Sequence, residues 1–244
     1  GLGAASIQLI VTDPPYGISY QSNYRKDGKT SPILHDFNFQ VGPLLHAASR
    51  VLSQNGALYL FSRWDVYPIW TQQVPQGLKL RNVIVWVKNN WSAGDLNGNF
   101  GGQWEALLFF AKPGHKIRWH RWSNVWMFDR VPPSRALVPA QKPVDLLKRV
   151  IGSSSAAGDT VVDPFCGSGS TGVAAVQMGR HAILGDVSQE MVNMSRVRLG
   201  LPVHVSTEPA LQYADGEIDL SPLDGVTPED IEFLARHFRV HGDQ

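Results

Sequence analysis

The chain of 244 residues carries 22 Lys and Arg, 21 Asp and Glu and 8 His, a formal net charge of +1, with 43% hydrophobic and 18% charged residues. That is the length of one large domain with an appendage and the composition of a chain that buries a core, which excludes a disordered protein. No apolar run approaches the roughly 20 residues of a membrane-spanning helix, and the start has no signal-peptide pattern. The single cysteine, Cys166, excludes an internal disulfide and a cysteine metal cluster, so a cytoplasmic protein is expected.

The first predicted element is a buried strand over Ile7-Gln8-Leu9-Ile10-Val11-Thr12. Asp13-Pro14-Pro15-Tyr16 follows at once. Two prolines cannot continue a ladder, so the strand ends and the chain turns outward, leaving Asp13 at a strand's carboxyl end with an aromatic ring three residues on. The polar stretch from Ser19 to Asn38, with Gly28 and Pro32, reads as a loop beside Tyr16. Within and just after it, Asp36 is a candidate substrate contact, and Phe37 or Phe39 either walls the same pocket or joins the core. A helix is predicted over 42–52, then buried strands over 57–61, 82–87 and 105–111. The last two are separated by the glycine-rich, permissive stretch Ser92 to Gly102. Helices are predicted over 143–151, 171–178 and 188–199, and strands over 160–163 and 181–185. Strands alternating with helices imply an α/β fold with a doubly wound, mostly parallel sheet, in which ligands bind beyond the carboxyl ends of the strands. Asp13 and Asp163 both stand at such ends. Beyond about residue 206 strand signals fade, and one helix is predicted near 228–238, opened by Thr227-Pro228-Glu229-Asp230.

The near-neutral total hides an asymmetry. From Ala106 to Gly158 nine Lys and Arg stand against Asp129 and Asp145, a net of +7, whereas from Thr207 to Gln244 nine acids stand against Arg236 and Arg239, a net of −7. A basic middle fits a polyanionic partner as well as an ordinary solvated face. Within it Lys116, Arg118 and Arg121 interleave with Trp119, Trp122 and Trp126. Such a run either tracks phosphates or packs a hinge. His115 and His120 have no carboxylate or thiol spaced to complete a metal site, and no metal is expected.

The second constellation is Asp163-Pro164-Phe165-Cys166-Gly167-Ser168-Gly169-Ser170-Thr171-Gly172, after the strand Thr160-Val161-Val162 and before a helix. Glycines there allow a tight turn and a close ligand approach, and helix N-terminal amides point into it. Asp186, ending the next strand, can accept hydrogen bonds from ribose hydroxyls. Nicotinamide, flavin and S-adenosylmethionine binders share this logic. Asp163 would repel a diphosphate but can meet a methionine ammonium, and no Lys or Arg lies between Asp159 and Gly179. Both details favour S-adenosylmethionine. Cys166 reads as the small residue such a turn needs.

These two motifs, in this order, resemble the paired signatures of amino-directed DNA methyltransferases of the circularly permuted β group. Asn55 to Phe61, Asn82 to Lys88 and Glu105 to Lys112 resemble that family's middle strands. Ser123-Asn124-Val125-Trp126 and Ala140-Gln141-Lys142-Pro143 resemble its later segments, and the resemblance covers roughly residues 7–200. It implies a Rossmann-like seven-stranded sheet with one antiparallel strand over 1–205, a short target-recognition segment at 112–139 and an acidic tail at 206–244. It also implies S-adenosylmethionine contacts from Asp163, Phe165, Cys166, Gly167, Gly169, Asp186, Lys142 and Pro143. Catalysis then falls to Asp13, Pro14, Pro15 and Tyr16, and DNA contacts to Lys88, Lys116, Arg118 and Arg121. Two departures stand out: Val138-Pro139-Ala140 replaces the usual His ahead of Gln-Lys-Pro, and Gly185-Asp186-Val187-Ser188 keeps one acid only.

An aromatic amine is a poor nucleophile because its lone pair is conjugated into the ring. Asp13 and the Pro14 carbonyl, as acceptors for its two N–H groups, would draw the nitrogen toward tetrahedral geometry, while Tyr16 stacks on a flipped base. The expected partner is double-stranded DNA and not a membrane, with a homodimer left open. Adenine N6 is the first choice because Asp heads the motif. Cytosine N4 is the alternative, and an inactive nucleic-acid-binding subunit with the same fold is the reading from another class.

Overall fold

A computed structural model describes residues 2–17, 39–91 and 97–203 of the chain. The whole 19–38 loop with Asp36 and Phe37, part of the 92–102 loop and the acidic tail with its helix near 228–238 lie outside the described residues.

The strands are β1 (Ile7–Thr12), β2 (Leu52–Ser62), β3 (Lys79–Val87), β4 (Trp104–Ala111), β5 (Val125–Met127), β6 (Thr160–Asp163) and β7 (His181–Leu184). The helices are α1 (Val41–Val51), α2 (Tyr67–Trp70), α3 (Val144–Ser154), α4 (Ser170–Gln177) and α5 (Gln189–Arg198). The strands form one seven-stranded sheet in the order β5-β3-β4-β2-β1-β6-β7. β4 runs antiparallel to both its neighbours, and every other pair is parallel.

Helices cover both faces, which is why the central strands read as continuous apolar runs. On one face Leu9, Val11, Tyr59, Phe61 and Trp86 pack with Leu146, Leu147, Val150 and Ile151 of α3 and Ala174 and Ala175 of α4. On the other, Ile10, Leu58, Leu60, Leu108 and Phe110 pack with Leu44, Leu45 and Ala48 of α1 and with Trp70 of α2. Neighbours in sequence alternate between the two clusters, as the two-residue period of a strand requires.

Three elements differ from expectation. β2 begins at Leu52 rather than 57, because register slips between Ile7↔Leu52 and Leu9↔Ala57 and bulges β2 around the exposed Gln54 and Asn55. That bulge is held from outside by Lys112 N–H on the Gly56 carbonyl (3.0 Å) and Gly114 N–H on the Gln54 carbonyl (3.3 Å). β5 has only Trp126 buried, too little pattern to announce a strand. α2 is four residues long, little more than one helical turn and too short for a periodic pattern to show. Among the described residues no helix is long and apolar enough to cross a membrane.

Phe110 is fully buried, in register with Leu58 and Leu80. Phe110→Ala is expected to destabilise the fold by roughly 3–5 kcal/mol, read from urea unfolding.

Candidate active site

β1 and β6 are parallel neighbours, so the bends that follow them leave the same edge of the sheet side by side. Asp163 joins them. Its Oδ1 accepts from Thr12 Oγ1 at 2.8 Å and from Phe165 N–H at 3.1 Å, and its Oδ2 accepts from Thr171 Oγ1 at 2.6 Å. The residue is 4% exposed. Burial pushes its pKa up to about 6, with the three hydrogen bonds opposing and nearby Asp13 adding to the rise. Both carboxylate oxygens are thus engaged inside the fold, holding β1, the turn and α4 together.

The glycine turn is closed by Gly169 N–H on the Cys166 carbonyl and Cys166 N–H on the Gly185 carbonyl, each 2.8 Å. Gly169, at φ +78°, caps α4, and a Cβ there would stand 2.6 Å from the Ser195 Cβ. Gly167 has φ +49°, but a Cβ on it would meet nothing within 4 Å. The turn is therefore open on the side of Gly167. Asp186 Oδ2 accepts from Gly167 N–H at 2.9 Å and Oδ1 from Ser188 N–H at 3.0 Å, which places an acid on the rim. This open, acid-rimmed cradle fits a cationic, ribose-bearing cofactor. One cation does approach: Arg198 from α5 donates to the Ser168 carbonyl (3.1 Å) and to Ser170 Oγ (2.9 Å), a contact across 28 to 30 residues that local sequence does not reveal. Burial, with Asp163 and Asp186 adding, pushes the Cys166 thiol well up, so it stays protonated.

Asp13 sits in a chain of charges. Tyr16 Oη donates to its Oδ1 at 2.6 Å, and the Lys142 ammonium pairs with its Oδ2. Lys142, 8% exposed, also lies 3.3 Å from Glu105 Oε2, and Lys88 donates to Glu105 Oε1 at 2.5 Å. Burial works against the Lys142 charge, but Asp13 and Glu105 hold its pKa above the ordinary value. Burial likewise opposes the Glu105 charge, and Lys142 and Lys88 outweigh it and hold the carboxyl below the usual glutamate value. The Tyr16 phenol is pushed up by burial and by Asp13, so it remains a donor.

Lys142, expected beside the cofactor, thus directs its ammonium to Asp13 and Glu105, while buried Pro143 starts α3 by accepting from Leu147 N–H at 3.2 Å. Lys88, expected on DNA, is paired with Glu105. Glu105 itself is invisible to a search of strand carboxyl ends: β4 is antiparallel, so its beginning lies where the other strands finish.

Aromatic rings wall the crevice. Phe165 meets Phe39 at 5.7 Å between centroids, Phe39 meets Trp70 at 6.0 Å, and Trp70 meets Tyr16 at 6.0 Å. Phe39 is thereby both wall and core, and Trp70 enters from α2, which sequence periodicity does not predict.

The structure does not bring Lys116, Arg118 and Arg121 to this crevice. α3 starts two residues after Lys142 and runs away for eleven residues, about 16 Å. Arg118 N–H bonds the Ser153 carbonyl at its far end (2.9 Å). There His115 bridges the Asn55 carbonyl (2.8 Å) and Ser154 Oγ (3.2 Å) as a packing residue. Arg149 stacks on Trp122, Trp126 and Phe128, 4.4 to 5.5 Å from the ring centroids, so Trp122 and Trp126 pack α3 against β5. The segment returns to the crevice edge after β5, where Phe128 N–H bonds the Val87 carbonyl (3.2 Å) and Arg130 N–H bonds Asn89 Oδ1 (3.3 Å). Exposed Arg130 and Arg135 lie on this returning stretch.

A seven-stranded sheet with one reversed strand, a glycine turn after one strand and an acidic proline bend after its neighbour define a Rossmann-like methyltransferase fold. The family model described as DNA methylase, N6_N4_Mtase, matches residues 7–196, and the chain belongs to that family. Among similar proteins, DNA adenine methyltransferase YhdJ of Escherichia coli (strain K12) is 28% identical over 242 residues, covering 84% of this chain and 80% of its own. Type II methyltransferase M2.DpnII of Streptococcus pneumoniae is 28% identical over 224 residues, covering 80% and 82%. Among solved structures, the M1.HpyAVI-SAM complex superposes with a TM-score of 0.65 at 21% identity, covering 82% of this chain and 90% of that one. PvuII DNA methyltransferase (cytosine-N4-specific) superposes at 0.62 and 18% identity, covering 84% and 83%; both likenesses concern the fold.

Gly169→Ala, both strained and blocked, is expected to cost roughly 2–5 kcal/mol in urea unfolding, against about 1–2 for Gly167→Ala, which is strained only. Asp163 has a folded pKa of about 6 against an ordinary 3.8, so its contribution to stability is complete below pH 4 and lost as pH rises through 6, up to about 3 kcal/mol. Asp163→Asn should therefore flatten the decline of unfolding free energy between pH 4 and 8. An unchanged slope would assign that decline to other groups.

Proposed function

We propose that this protein transfers the methyl group of S-adenosylmethionine to the exocyclic amine of a base flipped out of double-stranded DNA, with adenine N6 as the target. The observation that carries this reading is the joint at Asp163, which sets an acceptor-rich bend at Asp13 beside a glycine turn open at Gly167. Membership of the DNA methylase family and the names of the adenine-directed relatives support the chemistry and the choice of base.

S-adenosylmethionine, when bound, supplies a methyl group on a sulfonium centre. Asp186 would hold its ribose, Gly167 and Gly169 would admit it against bare backbone, and Phe165 would flank it. Lys142 and Pro143 serve the same site from the side of Asp13. Asp13 and the Pro14 carbonyl take the two N–H groups of the target amine. Its lone pair then leaves conjugation with the base and turns toward the glycine turn. Positive charge grows on that nitrogen, and the Asp13 carboxylate stabilises it. Pro15 fixes the bend, and Tyr16 covers the base, a stacking contact worth roughly 1–3 kcal/mol. Arg130 and Arg135, on the crevice side, carry phosphate contacts that position the duplex. Lys116, Arg118 and Arg121 would be reached only by DNA that extends past the far end of α3.

Asp13→Ala is expected to lower methyl transfer from labelled cofactor by about a hundred- to a thousandfold or more, with S-adenosylmethionine affinity by calorimetry unchanged. Equal loss of both would make Asp13 structural. Label confined to cytosine in base-restricted duplexes would replace adenine N6 by cytosine N4, and a folded protein that binds no S-adenosylmethionine would be an inactive subunit. Charge reversal of Arg130 and Arg135 should reduce the salt dependence of DNA binding more than reversal of Arg118 and Arg121, by about one unit of log–log slope per lost phosphate contact. The opposite order would move the DNA to the far end.

A further inference from the structure

Both oxygens of Asp13 are already taken, Oδ1 by the Tyr16 hydroxyl and Oδ2 by the Lys142 ammonium. If Asp13 receives the target amine, as the function proposed above requires, the amine either shares these oxygens with both partners or displaces one of them, since each carboxylate oxygen can accept twice. An ammonium left on that carboxylate would offset its charge and stand beside a nitrogen that is becoming positive. The ammonium is the partner whose departure helps the reaction. It is largely buried: Lys142 is 8% exposed, and its Nζ lies 4.8 Å over the centroid of the Phe61 ring. An ion pair stranded by removal of one partner is far less stable than one transferred to a new partner.

Glu105 provides that partner. Its Oε1 is anchored by Lys88 at 2.5 Å, and its backbone is in register with Trp86 near the start of β4. Its Oε2 is buried and already ion-paired with Lys142 Nζ at 3.3 Å, the looser of that ammonium's two carboxylate contacts, without the geometry of a full hydrogen bond. A buried carboxylate oxygen whose ion pair is not completed by a well-aligned donor gains from closer approach of that donor. A small swing of the Lys142 side chain closes that gap. The cluster holds two carboxylates and two ammoniums, so the swing leaves the charge balance intact. Asp13 is left with the negative charge that the amine then meets.

We propose that Glu105 is a positioning residue for methyl transfer: it takes the Lys142 ammonium from Asp13 as the target amine enters, and so frees Asp13 to act as acceptor. The bland alternative is a static ion pair that only braces β3, β4 and the entrance to α3. Under that alternative, loss of Glu105 lowers stability without a selective effect on turnover.

The experiment measures kcat and KM for transfer of labelled methyl from S-adenosylmethionine to plasmid DNA from a methylation-free host, with cofactor affinity by calorimetry and melting temperature as controls. Glu105→Gln keeps the side chain's size and loses its charge. It should lower kcat by about a hundredfold with cofactor affinity unchanged, because Lys142 then stays on Asp13. In the Lys142→Met background the same substitution should lower kcat by less than about threefold, the coupling expected of residues that act as one unit. A full hundredfold loss in that background, or a fall in melting temperature and cofactor affinity that accounts for the loss of kcat, would overturn the proposal while leaving the methyltransferase reading intact. Absence of transfer by the unsubstituted protein would overturn both. Should Glu105→Gln not fold, Glu105→Asp serves the same comparison, since its carboxylate stops one methylene short of Lys142.

Discussion

The spacing of the whole site depends on one buried carboxylate. Asp163 receives a hydroxyl from the last residue of β1, a hydroxyl from the first turn of α4 and an amide from the turn that joins β6 to α4. Hydrogen bonds to a charge in a water-poor interior are strong and directional. The acidic bend and the glycine turn therefore cannot slide past each other. A transfer between two bound molecules gains most of its rate from such fixed placement. Burial tends to keep Asp163 protonated, and its three donors work the other way. The joint thus costs some stability near neutral pH in exchange for its geometry.

A second consequence follows from the reversal of β4. In an all-parallel sheet the chemistry collects at strand carboxyl ends. Here the antiparallel strand inserts its own beginning at that edge, and with it Glu105. The result is a row of charges drawn from β1, β3, β4 and the entrance to α3: Asp13, Lys142, Glu105 and Lys88. Opposite signs alternate along it, so each buried charge has a compensating neighbour. Such a row is able to move one ammonium by a short distance without leaving any charge alone.

The basic middle of the chain divides in two. Its first half runs along the far end of α3, where Trp122 stacks on the Arg149 guanidinium and the Arg118 backbone N–H bonds the Ser153 carbonyl, leaving the exposed Lys116, Arg118 and Arg121 away from the crevice. Its second half returns beside β3 at the crevice with Arg130 and Arg135 exposed. Charge counting sees one run of nine cations. Only the path of the chain tells which of them face a ligand.

Much of this protein was legible before its fold was known. The strand-ending Asp13-Pro14-Pro15-Tyr16, the Asp163 turn and Asp186 are local patterns, because proline stops a ladder, glycine allows positive φ and an apolar run buries itself whatever lies far along the chain. They determined the α/β class and the two halves of the site, and the reversed strand was expected only through the family resemblance these motifs carry. What only tertiary structure decided was partnership over long separations: Thr12 with Asp163, Lys142 with Asp13, Glu105 with both lysines, Arg198 with the glycine turn, and Trp70 with Tyr16. Hydrogen bonds and ion pairs of this kind depend on distance in space, which strand order and the direction of β4 set and which no local pattern in the chain encodes.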